Sequence, residues 1–194
     1  IDGEFEFMRY ETGAMTRQVV GNATTYSMPD FMEFHVRDRA SWEKYIDLTS
    51  AKRKEPEAID EMKARYKDRT RPLRISGGGT WGRVRSEMGP ERALLAVHDD
   101  PGLLRDMIEY KLREVEEYVV PVIEALRPEV IDMWEDFAYN HGMLISPAQF
   151  HEYCGEHYQM VCDAAHSVGV HMVAVDTDGN AMEFVEVASK YGVN

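Results

Sequence analysis

Two aspartates stand two residues apart in the turn Asp176-Thr177-Asp178-Gly179-Asn180, directly after the apolar run Val170–Val175. Alternate residues of an extended chain point to the same side, so both carboxylates are expected to face one way. Carboxylates held side by side repel, and one of them tends to keep its proton unless a cation lies between them. Such a pair can shuttle protons, accept hydrogen bonds from a polar substrate, or offer oxygen to a hard metal ion. Two carboxylates are too few to hold a metal, and the spacing lacks the full calcium-loop pattern, so no metal is assigned. The structural alternative is an Asx-turn in which Asp178 and Asn180 hold Gly179.

A second cluster follows the run Val130–Trp134. Glu135, Asp136, Tyr139, Asn140 and His141 put two carboxylates, a phenol, an amide and an imidazole into one loop. An acid desolvated beside Trp134 would hold its proton and serve as a general acid. Helix capping, or pairing with nearby arginines, is the alternative. A third cluster, Ser76-Gly77-Gly78-Gly79-Thr80-Trp81-Gly82-Arg83, follows the alternating segment Arg71–Ser76. Gly78 and Gly79 would let a ligand approach the backbone, helix amides near Trp81 would hold an anion, and Arg83 and Arg85 would pair with substrate carboxylates. The run lacks the lysine and spacing of a P-loop, and a tight turn without a ligand remains open. His151, His157, His166 and His171 make no HExxH spacing and read as packing or surface residues.

The elements that must position these loops follow from periodicity. Residues 5–34 alternate in short runs broken at Gly13, Gly21-Asn22 and Pro29, which predicts one or two β-hairpins. Asp38 or Ser41 caps a helix to about Leu48, and Pro56 opens another to about Tyr66. Beyond the strand 71–76, helices are expected near Trp81–Met88, up to Val97, and from Pro101 to Leu126. In the last, Leu104, Ile108, Leu112, Val115 and Val119 form one stripe and Pro121 introduces a kink. A strand at 130–134, a helix at 147–168, a strand at 170–175 and a helix at 181–191 complete the pattern. Strands alternating with helices predict βαβ units and a parallel sheet, with reactive groups where strands end.

The chain has 194 residues, fewer than the roughly 250 of a complete eight-stranded barrel. A balance of 44% hydrophobic and 29% charged residues is that of a globular protein. A net charge of −13 argues against nucleic acid, since Lys52-Arg53-Lys54 is diluted by acids on both sides. No run approaches the roughly 18 apolar residues of a membrane span, which points away from a membrane partner. Cys154 and Cys162 lie eight apart on one predicted helix, about 12 Å between Cα atoms, too far for a disulfide. Without a secretory leader at the start, the expected compartment is the cytoplasm. Ile1-Asp2-Gly3-Glu4-Phe5 has no initiator Met, which fits a fragment or a processed chain.

The order of motifs over residues 71–194 resembles the uroporphyrinogen decarboxylase-like superfamily. A strand runs into a Gly-rich loop and a helix ending in Glu87-Met88-Gly89, and a short helix closes on His98-Asp99-Asp100-Pro101. Then come a strand ending in Glu135-Asp136, the run Gly142-Met143-Leu144-Ile145-Ser146-Pro147 with Phe150, a strand ending in Asp178-Gly179-Asn180, and a helix leading to Gly192-Val193-Asn194.

The resemblance implies an α/β fold, a partial (β/α) TIM-type barrel of parallel strands over residues 71–194. The hairpin and helices of residues 1–70 are read as an N-terminal insertion. It implies a decarboxylase- or methyltransferase-type enzyme acting on a small carboxylated or methylated molecule. Asp176, Asp178, Glu135 and Asp136 would be the acidic set, and Gly78, Gly79, Trp81, Arg83, Arg85, His141 and Asn180 would line the substrate. In the family's cobamide-dependent methyltransferases the loop at 176–179 resembles His-x-Cys-Gly and helps bind zinc. Here both ligand positions are aspartate, so zinc and a cobamide partner enter only through the resemblance. The decarboxylase's tyrosine position is taken by Arg85. A catalytically inactive scaffold or binding module is the alternative. Uncovered strand edges predict a homo-oligomer.

Overall fold

The computed structural model describes residues 5–20, 29–51 and 58–194. Gly21-Asn22, Lys52-Arg53-Lys54 and Pro56, read above as a turn, a diluted basic stretch and a helix start, lie outside the described residues. The chain divides into two compact units, residues 1–54 with 85–93 and residues 55–84 with 94–194. The helix 59–66 thus belongs with the parallel sheet.

In the first unit, β1 (Phe5–Arg9), β2 (Met15–Val19) and β3 (Asp30–Glu33) form an antiparallel sheet in that order. One expected hairpin is joined by a third strand, with a register shift between Met15 and Thr16. Helix α1 (Arg39–Ala51) follows. Its first turn is closed by Asp38, whose Oδ1 accepts the Ser41 N–H at 2.8 Å, the interaction that N-terminal amides without helical acceptors require. That bond, then one from the Ser41 hydroxyl, holds the Asp38 carboxyl below the usual aspartate range.

The side chain is exposed, so the expected effect of Asp38→Ala is a modest loss of about 1 kcal/mol at neutral pH. A depressed folded pKa makes this contribution complete above the ordinary aspartate value of about 4 and removes it as pH falls through the folded value. Urea unfolding of wild type and variant at pH 7 and pH 3 should show the gap closing on acidification. A gap that stays constant would refute the cap.

In the second unit, helix α2 (Ile59–Tyr66) precedes β4 (Arg74–Ser76). Helices α3 (Trp81–Met88) and α4 (Pro90–Asp99), whose residues 85–93 belong to the first unit, then α5 (Pro101–Glu114), a π-turn (Val115–Val119) and α6 (Val120–Leu126) lead to β5 (Val130–Trp134). The helical stretch 101–126 thus relieves Pro121 by a π-turn immediately before it. The short hairpin β6 (Ala138–Tyr139) and β7 (Gly142–Met143) is followed by α7 (Pro147–Tyr153), α8 (Gly155–Ser167), β8 (Met172–Asp176), α9 (Met182–Ala188) and a 3-10 turn (Ser189–Tyr191). The expected helix 147–168 is two, broken at Cys154, where the φ of −123° is not helical.

The β-hairpin at 138–143 replaces a loop, and its turn ends at Gly142, which adopts a φ of +119°. Ser146 caps α7 with a reciprocal Gln149 contact, as its sequence requires.

β4, β5 and β8 pair in parallel and in chain order. The register puts Ile75, Ile131, Met133, Val173 and Val175 on one face and Arg74, Ser76, Asp132, Trp134, Ala174 and Asp176 on the other. The first face is buried: Ile131, Met133 and Val173 are fully enclosed. Val161 of α8 meets Ile131 and Met133 across Gly77, and α8 packs on α6, which packs on α2.

At the carboxyl end of the strands, Phe137, Phe150, Tyr158 and Phe184 make an aromatic core, with Phe137 5.0 Å from both Phe150 and Phe184. The second face is open, with Trp134 44% exposed. On the outer edge of β8, the Asn194 N–H donates to Val173 O at 3.1 Å and its Oδ1 accepts the Val173 N–H at 3.0 Å.

The architecture is mixed α/β with a small three-stranded parallel sheet, and a closed barrel is not among the described elements. No described helix is long and apolar enough to cross a membrane.

Candidate functional site

The loops that follow β4, β5 and β8 meet at one end of the sheet, because parallel strands all finish on the same side. They divide into a buried layer and an exposed one.

Glu135 is the centre of the buried layer and is fully enclosed. Its Oε1 accepts the Thr80 N–H at 3.0 Å and its Oε2 the Gly82 N–H at 2.6 Å. These amides open α3, whose first N–H groups have no acceptor inside the helix. The anion expected at this helix start is therefore supplied by the protein itself, and the amides are not available to a ligand. The glycines have the same origin. A Cβ on Gly79 would lie 3.1 Å from the Trp134 carbonyl, and one on Gly82 2.9 Å from Glu135 Cα. The run lets α3 approach the end of β5, which accounts for Gly79 and Gly82 without a ligand. Trp81 is fully buried and stacks towards Phe137 at 6.3 Å.

His157, read from the sequence as packing, completes this layer. Its Nε2–H donates to the Gly77 carbonyl at 2.9 Å, and its Nδ1 lies 3.4 Å from both Thr80 Oγ1 and Glu135 Oε1. Cys154 sits against Thr80 and the Trp81 amide; burial first, then the Glu135 charge, pushes its thiol well above the ordinary range. Burial likewise pushes Cys162 up to about 11. Both cysteines are free.

Cys154, His157 and Glu135 match a nucleophile, base and acid in type, but both ring nitrogens of His157 face other partners. The thiol therefore has no base to activate it. Nothing in the spacing of these residues reveals the cluster, because Glu135 reaches it from β5, Thr80 from the loop after β4, and His157 from α8.

The exposed layer holds Asp176, Asp178, His141 and Arg83, with Asp136 half-buried. Asp176 ends β8 opposite Trp134, and its backbone carbonyl accepts the N–H groups of Glu135 and Asp136. Asp136 takes a φ of +47°, which turns the chain out of β5. Gly179 adopts φ +67° with the Tyr139 backbone where a Cβ would be. Asn180 donates its N–H to Tyr139 O, and its Oδ1 accepts the Met182 N–H at 3.4 Å at the start of α9.

The turn is thus clamped by the 138–143 hairpin, with Ala138 N–H on Thr177 Oγ1 at 3.0 Å. No side-chain hydrogen bond or ion pair joins Asp178, His141 or Arg83 to another described residue. Gly78 is half-buried with φ +81° beside Val115. Arg85 lies on α3 in the other unit.

Two residues outside the expected set join the open face. Arg74 makes a bidentate ion pair with Asp132, Nε to Oδ1 at 2.5 Å and Nη2 to Oδ2 at 2.7 Å. The Asp132 bond, then its charge and that of Asp176, raise the Arg74 pKa above the usual value. Their signal in the sequence is a charged residue inside each strand of a parallel sheet, where apolar runs are the norm. Among the described residues no group of three or more His, Cys, Asp or Glu could hold a metal ion. Among these residues no ligand set therefore fits the zinc that the sequence resemblance implies. No protein-family model, no curated protein and no solved structure matches this chain.

Proposed function

We propose that this chain carries consecutive strands of a (β/α) barrel enzyme of the uroporphyrinogen decarboxylase-like type, decarboxylase or methyltransferase in its chemistry. A small carboxylated or methylated molecule would bind where β4, β5 and β8 end. The observation that carries this reading is the winding of the sheet. Strand order equals chain order, helices pack on one face, and the opposite face carries Arg74, Asp132, Trp134 and Asp176.

A doubly wound sheet reverses direction and covers both faces, whereas a barrel segment keeps one direction and turns its other face inward. In this site Arg83, whose stem lies against Gly79, holds a substrate carboxylate, and Asp176 and Asp178 exchange protons or accept hydrogen bonds.

The test is an NMR titration with small di- and tricarboxylates and with methylated amines and thiols. Shifts are expected in the Trp134 indole and in amides 76–79, 134–136 and 176–180. Arg83→Gln should weaken carboxylate binding roughly tenfold, the size of a lost charge-assisted hydrogen bond, without altering the melting temperature. Absence of shifts there with every class, or an unchanged affinity in the variant, would sink the proposal. A non-catalytic binding module is the second reading, favoured by the occupation of both Glu135 oxygens by backbone N–H groups.

A further inference from the structure

A cleft of about 310 Å³ lies within the first unit, lined by Met32, Glu33, Phe34, Arg37, Met88, Gly89, Pro90, Glu91 and Arg92. Its volume is at the lower end of the roughly 300–1,000 Å³ of small-ligand pockets, the size for one amino-acid-sized molecule. The walls are apolar. Phe34 lies flat against Gly89, its ring 2.5 Å from where a Cβ would stand, so this wall exists only because residue 89 is glycine. Phe31 stacks behind Phe34 at 5.2 Å and 6°. Met88 is buried and Met32 exposed, so two flexible thioethers border the space.

The charges around the cleft decide its ligand. Glu33 is committed to Arg37 at 3.1 Å and lies 3.9 Å from Arg9. Arg92 is held in place through a bond from Nη1 to the Arg37 carbonyl at 3.2 Å; its charge reaches the Asp38 carboxylate, but it makes no ion pair with a described residue. Glu91, its neighbour on α4, has no ion pair among the described residues. The groups left over are one guanidinium and one carboxylate beside an apolar wall. We infer that the cleft binds a zwitterion with an apolar side chain, an α-amino acid such as phenylalanine or methionine. Arg92 takes the carboxylate, Glu91 the ammonium, and Phe34, Met32 and Met88 the side chain. An anion alone would leave Glu91 opposed to it, and a neutral apolar molecule would leave both charges unmet.

Calorimetric titration of the purified chain with phenylalanine and methionine, their N-acetyl derivatives and their amides provides the test. The free amino acids should bind, and acetylation or amidation should each weaken binding roughly tenfold. Glu91→Gln should abolish the preference for the free amine, and Arg92→Gln the preference for the free carboxylate. Both side chains are exposed, so the variants keep the fold, which circular dichroism verifies. No binding, equal binding of the N-acetyl derivatives, or preferences unchanged in the variants would each overturn the inference.

Discussion

Glu135→Ala is expected to cost about 3–5 kcal/mol, because it leaves two buried amides without an acceptor and empties the space of a fully enclosed side chain. The substitution strips the acceptor from the Thr80 and Gly82 amides, both in a region without exposed surface. A buried N–H without an acceptor costs about 1–3 kcal/mol by itself. Domain stabilities are only about 5–15 kcal/mol, so the variant should stand near the unfolding threshold. Urea denaturation followed by circular dichroism measures this directly.

Glu135→Gln keeps one carbonyl oxygen for one amide but points an NH2 group at the other, and its loss should be intermediate. A loss below about 1 kcal/mol in the alanine variant would show that the loop finds other acceptors. The consequence for function is practical. An inactive Glu135→Ala protein says nothing of catalysis unless its fold is intact.

Gly82→Ala should destabilise by about 1–3 kcal/mol, the usual cost of forced overpacking. Helix propensity alone predicts the opposite sign, a gain of at most about 1 kcal/mol, because alanine is the better helix former. Sterics decide, since the added methyl would meet Glu135 Cα at 2.9 Å and the Trp134 carbonyl still closer. Both obstacles are backbone and cannot rotate away as a side chain end would. Moving α3 outward would also stretch the Gly82 N–H bond to Glu135 Oε2. The same denaturation experiment reads the outcome, and a stabilised variant would refute the close approach.

Much of the local architecture was legible because it depends on neighbours in the chain. The Leu104, Ile108 and Val115 stripe, the Ser146-Pro147-Ala148-Gln149 cap and the alternation through Val130–Trp134 each express a period or a cap that operates within a few residues. The parallel pairing of β4, β5 and β8 followed from strands alternating with helices. Where the sequence erred locally, short-range signals competed. Cys154 interrupts an otherwise continuous helical pattern, and Tyr139-Asn140-His141-Gly142 is polar enough to look like a loop although it forms a hairpin turn.

The candidate sites were legible in part, and the division is physical. The position of Asp176, Asp178 and Asn180 at a strand end was set by the sequence itself, since the apolar run before them and the glycine among them are local. Which partners their neighbours meet was decided only by the tertiary structure. Glu135 and Asp136 are adjacent and chemically alike, yet Glu135 is enclosed against the start of α3 and Asp136 turns outward with a left-handed backbone. The glycines at 77–82 promised a ligand, but three of them, Gly77, Gly79 and Gly82, answer to the side chains and backbone of β5. Arg74 with Asp132, and His157 with Gly77, join residues 58 and 80 positions apart. Contacts of that range depend on how strands and helices stack, a property that no residue carries in its own neighbourhood.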